Sequence, residues 1–398
     1  MKEKFNSIKA QIDSLSVFCN IKNDEVINRF RTLLDSVSKF NTDENCIKIY
    51  SDFISALYPN TVSLTEYIRS LIIQDDNFYV KNAASKIPAA EEIQDAVRHE
   101  LKMLDNIASV TSQDIQTAME YKGFLPSWKT EPSDFTKDFF QKLENLPQTG
   151  YGIFAQYSFF RLDNEKIVPV THPDYQSTDK LFGYERERNL IIKNTEALVN
   201  GTGSSNMLLY GDAGTGKSST IKAVAAMFAP DGLRIIEVKK NQLYRIPEIM
   251  EQLASNPLKF ILFIDDLSFT GNDDNFSALK ATLEGSISGC GDNVVIYATS
   301  NRRHLLKETF SERTGDELHI NDTLQETMSL AARFGLTITF QKPDPDEYLN
   351  IVKSLAKEYG IEMNEEELCK KAEAYAIRKN GRSPRTAKQF IELLKIGI

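Results

Sequence analysis

Apolar positions early in the chain recur at three- and four-residue steps. Phe5, Ile8, Ile12 and Leu15 form one stripe, Val26, Phe30, Leu33 and Val37 a second, and Ile93, Val97, Leu101 and Leu104 a third. Side chains at that spacing share one face of an α-helix, so the pattern predicts amphipathic helices around a common core. Pro59 and Pro88 fall between such stretches, where helices break. The reading is an all-α region over residues 1–145.

Near Gly150 the pattern changes. Tyr151 to Leu162 and Ile167 to Val170 are β-rich, with the turn-like Asp163-Asn164 between them, and they predict a hairpin. With a connector that starts at His172, Pro173 and Asp174, this hairpin makes residues 146–180 an entry segment. From Leu181 onward short apolar runs alternate with helix-like stretches. The runs are Met207–Tyr210, Arg234–Val238, Phe260–Ile264, Val294–Ala298 and Leu336–Phe340. Continuously apolar strands belong in a parallel sheet, where helices cover both faces. Residues 181–344 therefore predict an α/β core, and residues 345–398, which lack strands, a small helical bundle.

Composition adds limits. The 398 residues are 41% hydrophobic and 26% charged, enough for two or three domains with cores of their own. The formal net charge of -9 argues against a chain-wide basic footprint for nucleic acid, although a local basic groove is compatible with it. Cys19, Cys46, Cys290 and Cys369 lie far apart. They suit reduced thiols better than a disulfide framework or a zinc site. His99, His172, His304 and His319 do not cluster in sequence and show no metal-ligand spacing. The N-terminus has no apolar stretch of signal-peptide length, and the best apolar run, Phe260 to Ile264, is far short of a membrane span. A cytoplasmic protein is expected. Trp128, near Pro126, reads as a packing anchor, and Asp273 and Asp274 as part of a loop.

Candidate chemistry begins at Gly211-Asp212-Ala213-Gly214-Thr215-Gly216-Lys217-Ser218. This is the full G-x-x-x-x-G-K-[ST] phosphate loop, between the apolar run Met207–Tyr210 and a predicted helix from Ser219 to Phe228. Glycines let the backbone wrap round phosphates, and successive N–H groups at the helix start face the anion. Lys217 is expected to reach the β- and γ-phosphates of ATP, and Ser218 to ligate Mg2+. The second element is Phe260-Ile-Leu-Phe-Ile-Asp265-Asp266. A buried strand delivers two carboxylates at its C-terminal end, where ligands of open α/β sheets bind. Asp265 is the expected Mg2+ partner, and Asp266 the group that orients or deprotonates the attacking water.

These stretches, with the Ala298-Thr-Ser-Asn301 strand end and Gly381-Arg-Ser-Pro-Arg385, resemble the AAA+ ATPases. More narrowly, the chain resembles a bacterial family of predicted AAA+ ATPases catalogued as domain of unknown function 815. Phe182-Gly-Tyr-Glu-Arg186, Asp265-Asp-Leu-Ser-Phe269, Tyr297-Ala-Thr-Ser-Asn-Arg-Arg-His304, Arg333-Phe-Gly-Leu336 and Gly381-Arg-Ser-Pro-Arg-Thr-Ala387 carry that likeness over roughly residues 150 to 398. The resemblance implies a P-loop AAA+ core with a parallel sheet and a C-terminal helical lid. It also implies roles. Asn301 looks like the sensor that places the attacking water. Arg385 resembles the second sensor, with Arg382 as its rival. Arg333 is the arginine expected to act on a neighbouring subunit's γ-phosphate, with Arg302, Arg303 and Arg313 as weaker candidates. Ser219 extends the phosphate loop, and Phe182 and Gly183, with Leu181 and Tyr184, resemble the adenine-contacting segment. Many relatives carry glutamate where this chain has Asp266, which is one methylene shorter.

The expected function is ATP binding and hydrolysis at a subunit interface of a homo-oligomer, a ring or hexamer-like assembly being compatible with it, with the motion passed to an unidentified protein target. The helical N-terminal region is the natural recognition module, by analogy. Two alternatives stand beside it: a nucleotide-gated scaffold with slow hydrolysis, and a DNA-associated initiator or loader. The acidic charge and the lack of a helix-turn-helix or basic tail weigh against the second.

Overall fold

The computed structural model describes residues 2–39, 44–119, 121–268, 279–283, 292–301, 332–379 and 381–398. The chain divides into two compact units, Met1–Gln156 and Tyr157–Ile398.

The first unit is helical. Its longer helices are α1 (Lys2–Ser14), α2 (Glu25–Lys39), α3 (Glu44–Leu57), α4 (Leu64–Gln74), α5 (Glu91–Ala108) and α6 (Phe135–Glu144). The predicted stripes are the core: Phe5, Ile12, Phe30, Leu33, Val97 and Leu101 are all buried. Helix starts follow the sequence. Ser63 and Asp134 accept from the backbone N–H groups of Glu66 and Lys137, capping α4 and α6. Trp128 is buried against Phe30, Tyr50 and Phe53 and donates its indole N–H to the Val110 carbonyl at 2.9 Å.

The second unit is built on a sheet of seven described strands. They are β1 (Phe159–Asp163), β2 (Lys166–Pro169), β3 (Met207–Gly211), β4 (Leu233–Glu237), β5 (Lys259–Ile264), β6 (Val294–Ser300) and β7 (Leu336–Phe340), in the order β2-β1-β4-β5-β6-β3-β7. Every pairing is parallel except the β1–β2 hairpin. Helices α7 (Glu185–Val199), α8 (Lys217–Met227) and α9 (Ile246–Ala254) belong to this α/β layer. Strand β6 is buried along its whole length, as a strand covered on both faces must be. Three helices close the chain: α10 (Pro345–Tyr359), α11 (Glu365–Arg378) and α12 (Pro384–Lys395). Asp344, Asn364 and Ser383 cap them, and α10 and α12 also carry proline in the first turn. Their core includes Tyr348, Val352, Ala372 and Ile391.

The β-rich stretch from Tyr151 is shorter as a strand than its composition suggests. Gly150 and Gly152 adopt φ of 69° and 59°, and the Gly152 N–H donates to the Gln74 carbonyl at 2.9 Å. Left-handed backbone turns the chain there, Ile153–Gln156 forms one helical turn, and β1 starts only at Phe159. The hairpin then adds to the sheet edge, with β1 beside β4.

Candidate functional site

The phosphate loop follows β3 because the backbone has no room for side chains there. At Gly211, φ is 137°, and an added Cβ would lie 2.0 Å from the Phe340 carbonyl oxygen of β7. Gly214 has φ of 81°, and its Cβ would lie 3.2 Å from both the Arg385 Cβ and the Ser383 Oγ. Gly216 then caps α8 without any side-chain acceptor on the first amides, which leaves them facing the concavity of the loop.

Lys217 opens α8 and is buried. Its Nζ donates to the carbonyls of Gly211 at 2.9 Å and Asp212 at 2.7 Å, and to Asn301 Oδ1 at 3.1 Å. Burial pushes its pKa down, and Arg385 adds to that, while Asp212, Asp265 and Asp266 pull the other way. The ammonium is thus held in a place where extra negative charge is favoured.

The β5 strand end supplies two carboxylates with different partners. Asp265 Oδ1 accepts from Ser218 Oγ at 2.5 Å and Thr299 Oγ1 at 2.6 Å. Asp266 takes a left-handed backbone, with φ of 53°. Its N–H donates to Thr299 Oγ1 at 3.0 Å and its Oδ1 accepts from Asn301 Nδ2 at 2.7 Å. Aspartate tolerates this conformation better than most residues, and such strain collects where a side chain must be aimed. One threonine hydroxyl therefore joins the two acids.

A pocket of about 280 Å³ lies beside this network. Its walls are the loop (Gly214–Gly216 and Ser218–Thr220), residues 181–184, and Ile351, Leu355 and Arg385 of the C-terminal helices. The start of α12 rests on the loop: Arg385 donates its N–H to the Gly214 carbonyl at 3.2 Å. Tyr184, at φ 57°, stacks on Phe340 at 5.1 Å and donates its hydroxyl to the Gln341 carbonyl at 2.5 Å. Burial pushes its phenol pKa up. Arg188 of α7 also lines the pocket and donates to the Gly183 carbonyl at 2.5 Å. Its Nε is buried without a partner, and burial lowers the guanidinium pKa.

The structure brings most of the expected residues together. Gly214, Thr215, Gly216, Ser218, Ser219, Phe182, Gly183 and Arg385 surround one pocket. Lys217, Asp265, Asp266 and Asn301 form the adjoining network. Asp212 is turned elsewhere: its Oδ2 accepts from the Lys342 N–H at 3.0 Å, which ties the loop to the chain after β7. Ala213 is an exposed loop residue. Arg333 precedes β7, and the pairings Met207 with Leu336 and Gly211 with Phe340 put it at the sheet end opposite the loop. Arg382 is paired with Glu373 at 2.8 Å. Arg302, Arg303, Arg313, Asp273 and Asp274 lie outside the described residues.

Sequence reasoning passed over Thr299 and Arg188. Thr299 had a signal: it stands two residues before Asn301, and alternate strand residues share a face. Arg188 had none, since only the turn at Gly183 and Tyr184 brings α7 under the pocket.

The residues present fit a nucleotide. The loop is a cradle that Cβ atoms would fill, Lys217 sits under it, and Arg188 offers an unpaired N–H in the wall. Ser218 and Asp265 are hydroxyl and carboxylate oxygens of the kind that hold Mg2+. Among the described residues, no three His, Cys, Asp or Glu side chains are grouped to hold a metal by themselves, and no helix is long and apolar enough to cross a membrane.

None of the curated proteins matches this chain. Among solved structures, Thermotoga maritima RuvB, described as a Holliday junction branch migration motor, is 18% identical with a TM-score of 0.37, covering 55% of this chain and 64% of that one. A variant of the same RuvB gives 19% and 0.38 over the same shares. The AAA domain of FIGL-1 in complex with ADP gives 14% and 0.38, covering 57% of this chain and 75% of that one. The chain thus spans less than two thirds of each of these two RuvB chains. A family model matches residues 154–397, nearly the whole second unit. The chain belongs to the family described as "Protein of unknown function (DUF815)".

Proposed function

We propose that this chain is an AAA+-type ATPase that binds ATP in the pocket between its sheet and its C-terminal helices and hydrolyses it. One observation carries the reading: Ser218, Asp265, Thr299, Asp266, Asn301 and Lys217 form one hydrogen-bonded series at the mouth of the phosphate loop. In it a cation, a pair of carboxylates and a polar amide stand at the end of a parallel sheet, where phosphoryl-transfer sites are built.

The residues divide the work. The loop amides and Lys217 grip the β- and γ-phosphates. Ser218 and Asp265 would hold Mg2+, which would supply charge neutralisation at the phosphate oxygens. Thr299 fixes the Asp265 carboxylate. Asp266, aimed by its left-handed backbone and by Asn301, accepts the proton of a water directed at the γ-phosphate. Arg385 stands on the lid next to Gly214, so its guanidinium links phosphate charge to lid position. On this reading Arg333, which precedes β7, serves a neighbouring copy, and the working state is a homo-oligomer acting on a protein target. A slower, nucleotide-gated version is favoured by the engagement of the short Asp266 with Asn301.

Calorimetric titration of the full chain with ATP and Mg2+, together with phosphate release, tests the reading. Binding and turnover are expected, with turnover lost in Lys217→Ala and in Asp266→Asn. No affinity for any nucleotide would overturn it. Tight binding without release, at every protein concentration, would leave the gated version standing and remove the hydrolase.

A further inference from the structure

The nucleotide pocket does not end at its base side. A second chamber of about 550 Å³ adjoins it and shares Tyr175, Gln176, Lys180, Leu355 and Lys388 with it. No phosphate-loop residue lines the second chamber. The second chamber thus lies on a side of the first pocket away from the loop.

The lining of the chamber carries more basic than acidic side chains. Lys180, Lys388 and Lys395 line it against a single carboxylate, Glu358. Lys180 pairs with Glu358 at 3.0 Å. Lys388 is only 4.0 Å from Glu392, on its own helix. Lys395 Nζ lies 5.4 Å from the centre of the Tyr359 ring and, among the described residues, has no carboxylate within ion-pair distance. Lys395 is thus the lysine of the three without a carboxylate partner among the described residues, and Lys388 has only a pair at the limit of ion-pair distance, in a chain whose formal net charge is -9. Tyr175 forms the boundary between the chambers. One face of its ring is stacked on Phe159 at 5.1 Å, and the residue is 45% exposed, so it offers an aromatic surface beside the lysines.

We propose that the second chamber binds phosphate: either a phosphate on the ribose of the nucleotide in the first pocket, or a separate phosphorylated ligand held beside it. The inference rests on the nucleotide reading of the first pocket. Ammonium groups recognise phosphate as point charges and without a fixed fork. A lysine pair of this kind accepts either source.

The test is calorimetry on the full chain with three probes. ADP alone measures the first pocket. Adenosine 3′-phosphate 5′-diphosphate measures a tethered phosphate. Pyrophosphate added to ADP-saturated protein measures a separate one. The expected result is about a tenfold tighter fit for the 3′-phosphorylated probe, or a saturable pyrophosphate titration, in either case shrinking as salt is raised. In Lys395→Ala the gain should fall several-fold with ADP affinity unchanged, and Lys395→Arg should restore it. Equal affinities for the two adenosine probes with no pyrophosphate heat would overturn the proposal while leaving ADP binding intact. A gain that survives Lys395→Ala would overturn its assignment to this chamber. No affinity for ADP would remove both this inference and the nucleotide reading beneath it.

Discussion

The helical unit and the α/β unit each gather acids, amides and a lysine in one place, but they use them differently. In the helical unit Glu100 is buried, and its two oxygens accept from the backbone N–H groups of Ser16, Val17 and Phe18 at 2.8 to 3.1 Å. Asp75 accepts from Asn20 at 2.8 Å and Asn77 at 2.6 Å, and the Lys142 ammonium lies 3.5 Å from its carbonyl. These acceptors satisfy groups of the same unit that burial would otherwise leave unpaired. In the α/β unit Asp265, Asp266 and Asn301 are exposed, Asp266 keeps a left-handed backbone, and Lys217 rests on the carbonyls of its own loop. A phosphate offers that ammonium a stronger partner than a neutral carbonyl. The first cluster holds the fold, and the second holds partners it can exchange.

The sharpest break in the comparison is Lys217→Ala. If the proposed function holds, its charge is one that the site supplies to the transferred phosphate, and phosphate release should fall by about 1,000-fold. The exchange reading adds a second expectation: the thermal midpoint of the free protein should move little, because the lost bonds are to two loop carbonyls and to the exposed Asn301 amide. A fall in stability as large as the fall in turnover would make Lys217 a structural residue. Asp266→Asn comes next. It keeps the shape and the bond to Asn301 but removes the proton acceptor of the proposed mechanism, so turnover should drop by about 100-fold with ATP affinity retained. Parallel single-turnover and binding measurements separate the two effects.

Glu100→Ala probes the other cluster. It leaves several buried N–H groups without an acceptor, and unfolding in denaturant should show a loss of about 2 kcal/mol. ATP turnover at a temperature where the variant is folded should be unchanged. If turnover fell while the fold remained intact, the separation of structural from exchangeable groups would be wrong. Glu100→Gln, which keeps one acceptor oxygen, should recover part of the loss.

What could be read in the sequence follows from how far apart the determinants lie. The phosphate loop was legible because eight consecutive residues define it, and the strands because Met207–Leu209 and Phe260–Ile264 are apolar on both faces. Thr299 was not, because its hydroxyl meets Asp265 and Asp266 only through the register that pairs Ile264 with Ala298. The rest of Arg385 on Gly214 joins residues far apart in the chain, and no local pattern encodes it. In the helical unit, periodicity marked Val97, Leu101 and Leu104 as core but said nothing of Glu100 between them. Buried polar residues look like surface ones until their partners are in place.

Lys142 gives the smallest and most specific test. Burial, partly offset by Asp75 and Asp76, lowers its pKa from 10.5 to about 8. The folded value lies below the unfolded one, so between pH 8 and 10.5 the unfolded chain holds more protons and stability rises with pH. Below that window the cost of the buried charge is fully present. Burial also raises the Asp75 pKa from its ordinary 3.8, while Asn20 and Asn77 hold it down. Lys142→Met removes the charge and also the contact with the Asp75 carbonyl, and the net gain should be about 1 kcal/mol at neutral pH. Denaturation midpoints of wild type and variant should converge as the pH approaches 10, because wild-type Lys142 is then neutral. A constant difference across that range would mean that packing, and not charge, sets the effect.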